Sequence, residues 1–382
     1  MIERKDALKV TLREKPCGNR LFHSIFRHYK MTMMIIRLMS MCAIAFMLLG
    51  ASCENAVPTG GGKAGVPENS PDAFTVMFYN VENLFDIYDD PKKIDEEFTP
   101  DGKYKWNEER YQTKLDRLSE VVDAIPGALP AFVGMCEIEN RAVLRDLVAE
   151  EKLLPGHYAI IHKDSPDERG IDVAAIYDST RMKVESFYYT TINLPNEADP
   201  YTRDLLYVKA NVGGDIFHLF VNHWPSRSGG QVESEGNRIA VANVLESLVG
   251  KILASDAKAK ILLMGDFNDY PTDKSIAQVL NAGVAKENTL FNFMYDDHAA
   301  KEGSYYYKGE WGALDQFMAS RGLKNAKKGY GATEDAAHIF KNDLVLFTDK
   351  EGVKRPNRTY VGEDYKAGYS DHLPVYIELR KH

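Results

Sequence analysis

Nine short apolar segments, each bounded by turn-forming residues, restrict the fold of this chain more than any other feature. They are four to eight residues long and rich in β-branched and aromatic side chains, so each is predicted to be a β-strand. Two further segments have the apolar spacing of core-facing helices: residues 111–125, which follow the candidate N-cap Asn107, and residues 239–249. Strands that alternate with amphipathic helices favour an α/β fold. The nine predicted strands are 74–79, 131–136, 173–177, 205–212, 216–221, 261–264, 314–318, 345–348 and 375–379.

The first 52 residues are predicted to be a leader with a signal peptide. Basic residues precede a long apolar run, and the small residues at 50–52 are followed by Cys53. This arrangement resembles the lipobox of bacterial lipoproteins and implies that Cys53 is lipidated, although Gly50 stands where leucine is usual. A transmembrane anchor and an unlipidated cleaved signal are the alternatives. Residues 1–30 carry no export signal, so we expect a mis-called upstream start, with translation beginning at Met31 or Met34.

The segment that follows is predicted to be a flexible tether, residues 53–72, because it is rich in Gly, Pro, Ser and Asn. We expect one catalytic domain over residues 73–382. Without residues 1–52 the chain has 38 Lys and Arg against 53 Asp and Glu, a formal charge of −15. Such a charge disfavours tight or processive binding of duplex nucleic acid. It does not argue against a metal-filled cleft that handles one phosphate at a time.

Polar side chains with oxygen or imidazole donors stand at the ends of six of the apolar runs. Any one of them is more simply explained as a turn residue. Six in one chain have no reason to share this chemistry unless they form a site, because strand ends meet at one edge of a sheet. They are Asn80 in Phe-Tyr-Asn, Glu137 in Met-Cys-Glu, Asn222 and His223 in Val-Asn-His, Asp266 and Asn268 in Gly-Asp-Phe-Asn, Asp315 in Leu-Asp-Gln, and Asp371 with His372 in Ser-Asp-His.

The order of these residues resembles that of the endonuclease/exonuclease/phosphatase family, over residues 74–379. Gly-Asp-Phe-Asn at 265–268 and Ser-Asp-His at 370–372 are the most specific motifs of the resemblance. Arg-Gly-Ile-Asp-Val-Ala at 169–174 and Asn-His-Trp-Pro-Ser-Arg at 222–227 resemble a secreted bacterial branch of that family. The resemblance implies a four-layered α/β sandwich, in which two packed sheets are flanked by helices and the site lies at one rim.

The resemblance also implies a metal centre. Glu137 would bind the ion together with Asp371, and Asn80 would contribute through the metal or through a phosphate oxygen. Hard oxygen ligands suit Mg²⁺ or Mn²⁺. Support by Ca²⁺, which some members of the family use, stays open.

The same resemblance assigns catalytic roles. His372, oriented by Asp315, would activate a water molecule, whereas Asp266 is the competing base or the ligand of a second metal. His223 and Asn268, with Asn80, would hydrogen-bond the phosphate. Further candidates for substrate binding are Asn222, Arg169 and Arg227, of which the two arginines could equally be solvated loop residues.

The function predicted from these residues is that of a metal-dependent phosphodiester hydrolase, an extracytoplasmic nuclease or a related phosphodiesterase acting on nucleic acid fragments. A phosphomonoesterase or a sphingomyelinase-like lipid phosphodiesterase on the same fold is the alternative, and a non-catalytic binding protein is a further one. The sequence has no long apolar loop after Ala73, which favours a soluble substrate. We expect an exported monomer, attached to a membrane of the cell envelope by the lipid on Cys53.

Overall fold

The computed structural model describes residues 72–195 and 201–382. The predictions for the leader, the tether and Cys53 therefore lie outside the described residues, apart from Asp72. The strands are β1 Ala73–Leu84, β2 Phe132–Ile138, β3 Tyr158–His162, β4 Asp172–Asp178, β5 Lys183–Thr190, β6 Leu205–Val212, β7 Asp215–His223, β8 Lys260–Asp266, β9 Ala282–Gly283, β10 Leu290–Asn292, β11 Tyr305–Tyr307, β12 Glu310–Gly312, β13 Asp315–Ser320, β14 Tyr330–Gly331, β15 Ala337–Ile339, β16 Leu346–Thr348, β17 Lys354–Pro356, β18 Tyr360–Val361, β19 Asp364–Tyr365 and β20 Val375–Lys381.

Helices connect these strands and cover the sheets. The α-helices are α1 Glu108–Asp123, α2 Arg141–Val148, α3 Gln231–Ser255, α4 Tyr295–Ala299 and α5 Arg321–Lys324. Single 3₁₀ or π turns occupy Glu96–Phe98, Glu151–Gly156 and Ser275–Val279. Helix α1 begins where the sequence predicts, because the Asn107 side chain accepts a hydrogen bond from the backbone N–H of Arg110 at 3.1 Å.

The strands form two large mixed sheets. The first has the order β14-β20-β1-β2-β4-β3, and β15 also pairs with β20. The second has the order β5-β6-β7-β8-β13-β10-β9. Strands β1 and β2 are parallel in the first sheet, as are β7 and β8 in the second. All nine predicted segments are strands. Strands β3 and β5, helix α2 and the short elements β9–β12, β14, β15, β17–β19, α4 and α5 were not predicted.

The two sheets pack face to face, with helices on their outer faces. Side chains of β1 alternate accordingly: Val76 and Phe78 lie in the core between the sheets, whereas Met77 and Tyr79 lie in the core beneath α1 and α2. On the opposite side, α3 packs Val241, Leu245 and Val249 against β8. The order helix, sheet, sheet, helix confirms the predicted four-layered α/β sandwich. Among the residues that the structure describes, no helix is long and apolar enough to cross a membrane.

Candidate active site

The ends of β1 and β2 break their regular pairing at the same level of the first sheet. The register shifts between Asn80 and Leu84 on β1, and between Cys136 and Ile138 on β2. Glu137 sits in the second irregularity with a φ of 64°, a left-handed conformation that is costly for a residue with a side chain. Bulges of this kind redirect side chains at sheet rims, and this one turns the Glu137 carboxylate toward Asn80.

Strands β7, β8 and β13 bring their polar ends to the same rim from the second sheet. His223 pairs in parallel register with Asp266, and Asp266 pairs in antiparallel register with Asp315. Gly265 allows this close approach, since a Cβ atom there would lie 2.5 Å from the backbone oxygen of Asn222. The Gly in Gly-Asp-Phe-Asn is therefore required by packing.

The buried amide of Asn80 joins the two halves of the site. Its Nδ2 donates to Oε1 of Glu137 and to Oδ2 of Asp266, both at 3.2 Å. Its Oδ1 accepts a hydrogen bond from the backbone N–H of Glu82 at 3.0 Å. Asn80 thus orients both carboxylates, which is a positioning role. Its oxygen accepts one of the two hydrogen bonds that an amide oxygen can accept, so its predicted role as a metal ligand stays a prediction.

His372 and Asp315 form a buried ion pair. The Nδ1 atom of His372 lies 2.7 Å from Oδ2 of Asp315, and their side chains are 7% and 1% exposed. Ser304 donates to the same carboxylate oxygen at 2.5 Å. The other ring nitrogen of His372, Nε2, lies 3.8 Å from Oδ2 of Asp266. The predicted pair is therefore present, and its free nitrogen points toward the predicted competing base.

The electrostatics of this centre favour a protonated His372 beside an ionised Asp266. Burial opposes a charge on His372, yet Asp315 and Asp266 together raise the pKa of its imidazole well above the ordinary value. Burial raises the pKa of Asp266 to about 6, while the charge of His372 acts in the opposite direction. At neutral pH, Asp266 is thus the carboxylate able to accept a proton, and His372 is the group able to donate one.

His223 is a neutral imidazole at the same rim. Its Nε2 lies 3.9 Å from Oε1 of Glu137 and 3.8 Å from Oδ2 of Asp266. Burial and the nearby Arg203 and Arg169 hold its pKa well below the ordinary range. Its Nδ1 is buried and has no hydrogen-bond partner among the described residues.

Arg203 is a functional candidate that the sequence did not reveal. Its guanidinium is buried, donating at 2.6 Å to the backbone oxygen of Trp224 and at 3.3 Å to Asp167. Its Nε has no partner among the described residues. It precedes β6 without a recognisable motif, so nothing in the local sequence distinguished it from a surface arginine.

Asp371 belongs to a second charged cluster beside the first. Its Oδ2 accepts from Arg358 at 3.0 Å, and Arg358 also donates to Glu82 at 3.2 Å. The structure gives no contact between Asp371 and Glu137, the predicted pair of metal ligands. Burial and the charge of Asp371 raise the pKa of Glu82 to about 7. Lys114 completes the cluster, and burial lowers its pKa to about 8.

Glu82, Lys114 and Arg358 were missed by sequence reasoning, and one signal for them existed. Lys114 interrupts the apolar stripe of α1 at a position that faces the core, where it is 1% exposed. A lysine at such a position needs a partner. The Nζ atom of Lys114 donates to Thr359 and to the backbone oxygen of Tyr369, at 2.6 and 2.7 Å.

Two residues predicted to bind substrate have other roles in the structure. Asn222 is fully buried, and its amide donates to the backbone of Met264 and accepts from the indole of Trp224. Arg227 is engaged by Asp273 at 2.7 Å and by the backbone oxygen of Asn268 at the same distance. Adjacent residues of a strand point to opposite faces, so Asn222 faces away from the rim that His223 faces. These contacts give both side chains structural roles, and their predicted roles in substrate binding stay predictions.

The remaining two candidates lie at the rim with different exposure. Asn268 has a φ of 50°, donates its backbone N–H to Asp266 at 3.0 Å, and donates its side-chain amide to the Trp224 backbone at 3.0 Å. It therefore fixes the Asp266 carboxylate. Arg169 has a side chain that is 51% exposed and only a 3.7 Å contact with Asp167, so it is free to reach a ligand.

The donor set at the rim fits a divalent cation. Glu137 and Asp266 each place a carboxylate oxygen on the same Asn80 nitrogen, which concentrates negative charge at one point. A hard cation neutralises such a charge and prefers carboxylate oxygens. The Glu137 side chain is 17% exposed, so an ion can reach it while keeping water ligands. Asp266, Asp315 and His372 also form a group whose ligand atoms lie within 4.8 Å of one another.

Comparison with known proteins is consistent with this site. The sequence model of the endonuclease/exonuclease/phosphatase family matches residues 75–381. The chain belongs to that family. This match confirms the resemblance seen in the six motifs, and the family name describes enzymes that hydrolyse phosphate esters.

Several solved structures are similar to this chain. A family protein from Bacteroides thetaiotaomicron is 15% identical, with a TM-score of 0.49 over 80% of this chain and 97% of that chain. The human Nocturnin catalytic domain is 17% identical, with a TM-score of 0.48 over 82% of this chain and 96% of that chain. A mannosyl-6-phosphatase from B. thetaiotaomicron VPI-5482 is 15% identical, with a TM-score of 0.47 over 80% and 99%. These similarities carry no conclusion about the substrate.

A sequence similarity to a protein with a different name covers less than half of the chain. ATP synthase subunit b of Prochlorococcus marinus (strain MIT 9303) is 27% identical over 168 residues, which is 43% of this chain and 91% of that protein. This match covers less of the chain than the family model and is too distant to assign the chain to a second family.

Proposed function

We propose that this protein is a metal-dependent phosphodiester hydrolase. The observation that carries the proposal is the meeting of two units at one rim: the carboxylates of Glu137 and Asp266, joined by the Asn80 amide, and the His372–Asp315 ion pair. Hydrolysis of a phosphodiester requires neutralised charge, a proton acceptor for water and a donor for the leaving oxygen. Asp266 and three side chains within about 4 Å of it can meet these requirements. The three are the Asn80 amide and the imidazoles of His372 and His223.

Asp266 is the proposed acceptor of the water proton. It is buried, and its two oxygens are fixed by the N–H of Asn268 and the amide of Asn80. His372, held by Asp315, is the proposed proton donor to the leaving oxygen. His223 donates from Nε2 to a phosphate oxygen, which its neutral form permits. The proposed roles of Asp266 and His372 are the reverse of those preferred from the sequence, where His372 was the base, because the pKa of His372 is raised.

A divalent ion held by Glu137, with Asp266 beside it, would supply Lewis-acid polarisation of a phosphoryl oxygen when bound. The ion is proposed to be Mg²⁺ or Mn²⁺, from the hard oxygen ligands. Asp371 is a weaker candidate ligand, since Arg358 already occupies one of its oxygens.

A diester is favoured over a monoester because of the charges at the rim. Three carboxylates, those of Glu137, Asp266 and Asp315, lie there with one imidazolium between two of them. A diester carries a single negative charge, whereas a monoester carries up to two near neutral pH. The diester therefore meets less repulsion at this rim.

We further propose that the protein acts outside the cytoplasm, attached to a membrane by the lipid on Cys53. This part rests on the sequence of the leader alone. At that location, a nuclease-like enzyme would act on nucleic acid fragments from outside the cell.

The proposal is tested by an activity panel on residues 73–382 together with the tether. The substrates are bis(p-nitrophenyl) phosphate, p-nitrophenyl phosphate, single-stranded DNA, RNA and sphingomyelin, each with Mg²⁺, Mn²⁺, Ca²⁺ or EDTA. We expect hydrolysis of the bis(p-nitrophenyl) ester with Mg²⁺ or Mn²⁺ and none in EDTA. Faster hydrolysis of the monoester than of the diester would overturn the assignment.

A further inference from the structure

A cavity of about 800 Å³ opens beside the active centre. Its walls are the tip of the β11–β12 hairpin, the β16–β17 hairpin and the β18–β19 hairpin with the residues that flank it. The ion-paired Asp371 and Arg358 also line it, and Asp371 is the neighbour of His372. The cavity therefore borders the proposed catalytic centre at Asp371.

A row of aromatic rings leads from the catalytic imidazole to this cavity. The ring of Tyr305 lies 4.7 Å from the ring of His372 and 6.3 Å from the ring of Tyr307. Tyr305 and Tyr307 are nearly parallel, with an interplanar angle of 18°, because residues two apart share one face of a strand. A substrate whose phosphate lies near His372 thus has an aromatic surface beside it.

Three large apolar side chains of the cavity wall are exposed to water. Tyr307 is 58% exposed, Phe347 is 53% exposed and Val361 is 54% exposed, and they come from three different hairpins. Exposed apolar side chains that converge on one cavity mark a ligand site more often than a free surface. Flat aromatic rings with this exposure suit a ligand with a flat ring of its own.

Four cationic side chains line the wall, and three of them are paired with carboxylates. Arg355 and Lys366 pair with Asp349 and Asp364, and Arg358 pairs with Asp371 and Glu82. Lys308 stands at the hairpin tip with a φ of 48° and has no carboxylate within ion-pair distance among the described residues. Its ammonium lies over the ring of Tyr307, 5.2 Å from the ring centre.

Carboxylates that could accept hydrogen bonds from hydroxyl groups are few in the same wall. Asp371 is the one carboxylate that lines the cavity among the described residues, and Arg358 already holds one of its oxygens. The hydroxyl groups of a sugar are often bound by carboxylates. The ammonium of Lys308, beside a single carboxylate that is already paired, instead matches a ligand with an additional anionic group.

We propose that this cavity binds an aromatic ring of the substrate together with a second phosphate that adjoins it. The ring stacks on Tyr307 and Phe347, and Lys308 meets the second phosphate. The substrate class is thus a nucleotide chain of at least two units, in preference to sugar or lipid phosphoesters. This inference rests on the proposed function, because it takes the scissile phosphate to lie at His372.

Binding without hydrolysis tests the cavity directly. The probe is a 5′-phosphorylated thymidine dinucleotide with a phosphorothioate linkage, titrated calorimetrically in EDTA. Stacking contributes about 1 to 3 kcal/mol per base, so Tyr307→Ala and Phe347→Ala should each raise Kd by about 5- to 150-fold. Lys308→Asn, which tolerates the left-handed turn, should raise Kd and flatten its salt dependence. Ribose 5-phosphate should bind weakly, and none of the three changes should alter its affinity.

The matched control is Phe187→Ala, which removes an aromatic ring with 49% exposure from β5, outside the cavity. Its dinucleotide Kd should equal that of the wild type. A dinucleotide Kd that stays within twofold in both Tyr307→Ala and Phe347→Ala would overturn the cavity assignment, as would equally tight binding of ribose 5-phosphate. Failure of the wild type to hydrolyse bis(p-nitrophenyl) phosphate with Mg²⁺, alongside cavity-dependent binding, would instead overturn the proposed function and support the cavity.

Discussion

The ion pair of His372 and Asp315 gives the sharpest prediction, because its two members should act as one unit. The perturbation is a set of three variants: Asp315→Asn, His372→Asn and the double change. The pair is buried and 2.7 Å long, and its carboxylate also accepts from Ser304. Asp315→Asn removes the carboxylate that orients the imidazole and raises its pKa, whereas His372→Asn removes the imidazole itself.

The expected loss follows from that geometry. Loss of acid catalysis and of its positioning together costs about two to four orders of magnitude in turnover. This corresponds to about 3 to 5.5 kcal/mol of transition-state stabilisation. Because either change removes the same function, the double variant should be little slower than the slower single variant. Breaking a buried pair should also lower the free energy of unfolding by about 3 kcal/mol.

The assay is Mg²⁺-dependent hydrolysis of bis(p-nitrophenyl) phosphate at saturating substrate, with urea unfolding measured on each variant. His218→Asn is the matched control, since His218 makes a 2.7 Å contact with Tyr207 at the far end of β7. It should leave turnover unchanged. Losses that multiply in the double variant would refute the pairing and show that His372 and Asp315 act separately.

Three further predictions concern other residues. The pKa of Asp266 is raised to about 6, so kcat/KM should fall as the pH falls through about 6 in a pH–rate profile, and an acid limb near 4 would contradict the role of Asp266 as base. The same shift destabilises the metal-free protein as Asp266 loses its proton with rising pH, so Asp266→Asn should raise the free energy of unfolding in urea at pH 7 by up to about 3 kcal/mol, and not at pH 4. Cys53→Ala should release the protein from membranes on fractionation, unless mass spectrometry finds an unmodified N terminus in the wild type.

The layers and the rim of this fold were predictable because they depend on local periodicity. The β-branched and aromatic runs at residues 74–79 and 216–221 and the helical spacing after Asn107 need no distant partner to be recognised. Strand ends within one sheet share an edge, but Glu137 lies on the first sheet and Asp266 on the second, so their meeting depends on how the two sheets pack. The unpredicted elements are either very short or have patterns that local spacing does not distinguish, as in the half-exposed β5.

The roles of single side chains were harder to predict, because they depend on contacts between distant segments. Arg358 reaches Glu82 across 276 residues of sequence, and it takes the oxygen of Asp371 that was expected to bind metal. The direction of the Asn222 side chain could have been predicted, because adjacent residues of a strand point to opposite faces and His223 faces the rim. The protonation of His372 could not be predicted, because it depends on the carboxylates of Asp315 and Asp266, which lie on separate strands.

The most direct test of the account is the metal dependence of Glu137→Gln. This change removes one ligand charge at nearly constant volume, from a side chain that the Asn80 amide and the N–H of Asn83 already hold in place. Hydrolysis of bis(p-nitrophenyl) phosphate is measured across Mg²⁺ concentrations, with circular dichroism to verify the fold. We expect the Glu137→Gln protein to be folded and to have lost its Mg²⁺-dependent turnover. Turnover close to that of the wild type at the same Mg²⁺ concentration would contradict it.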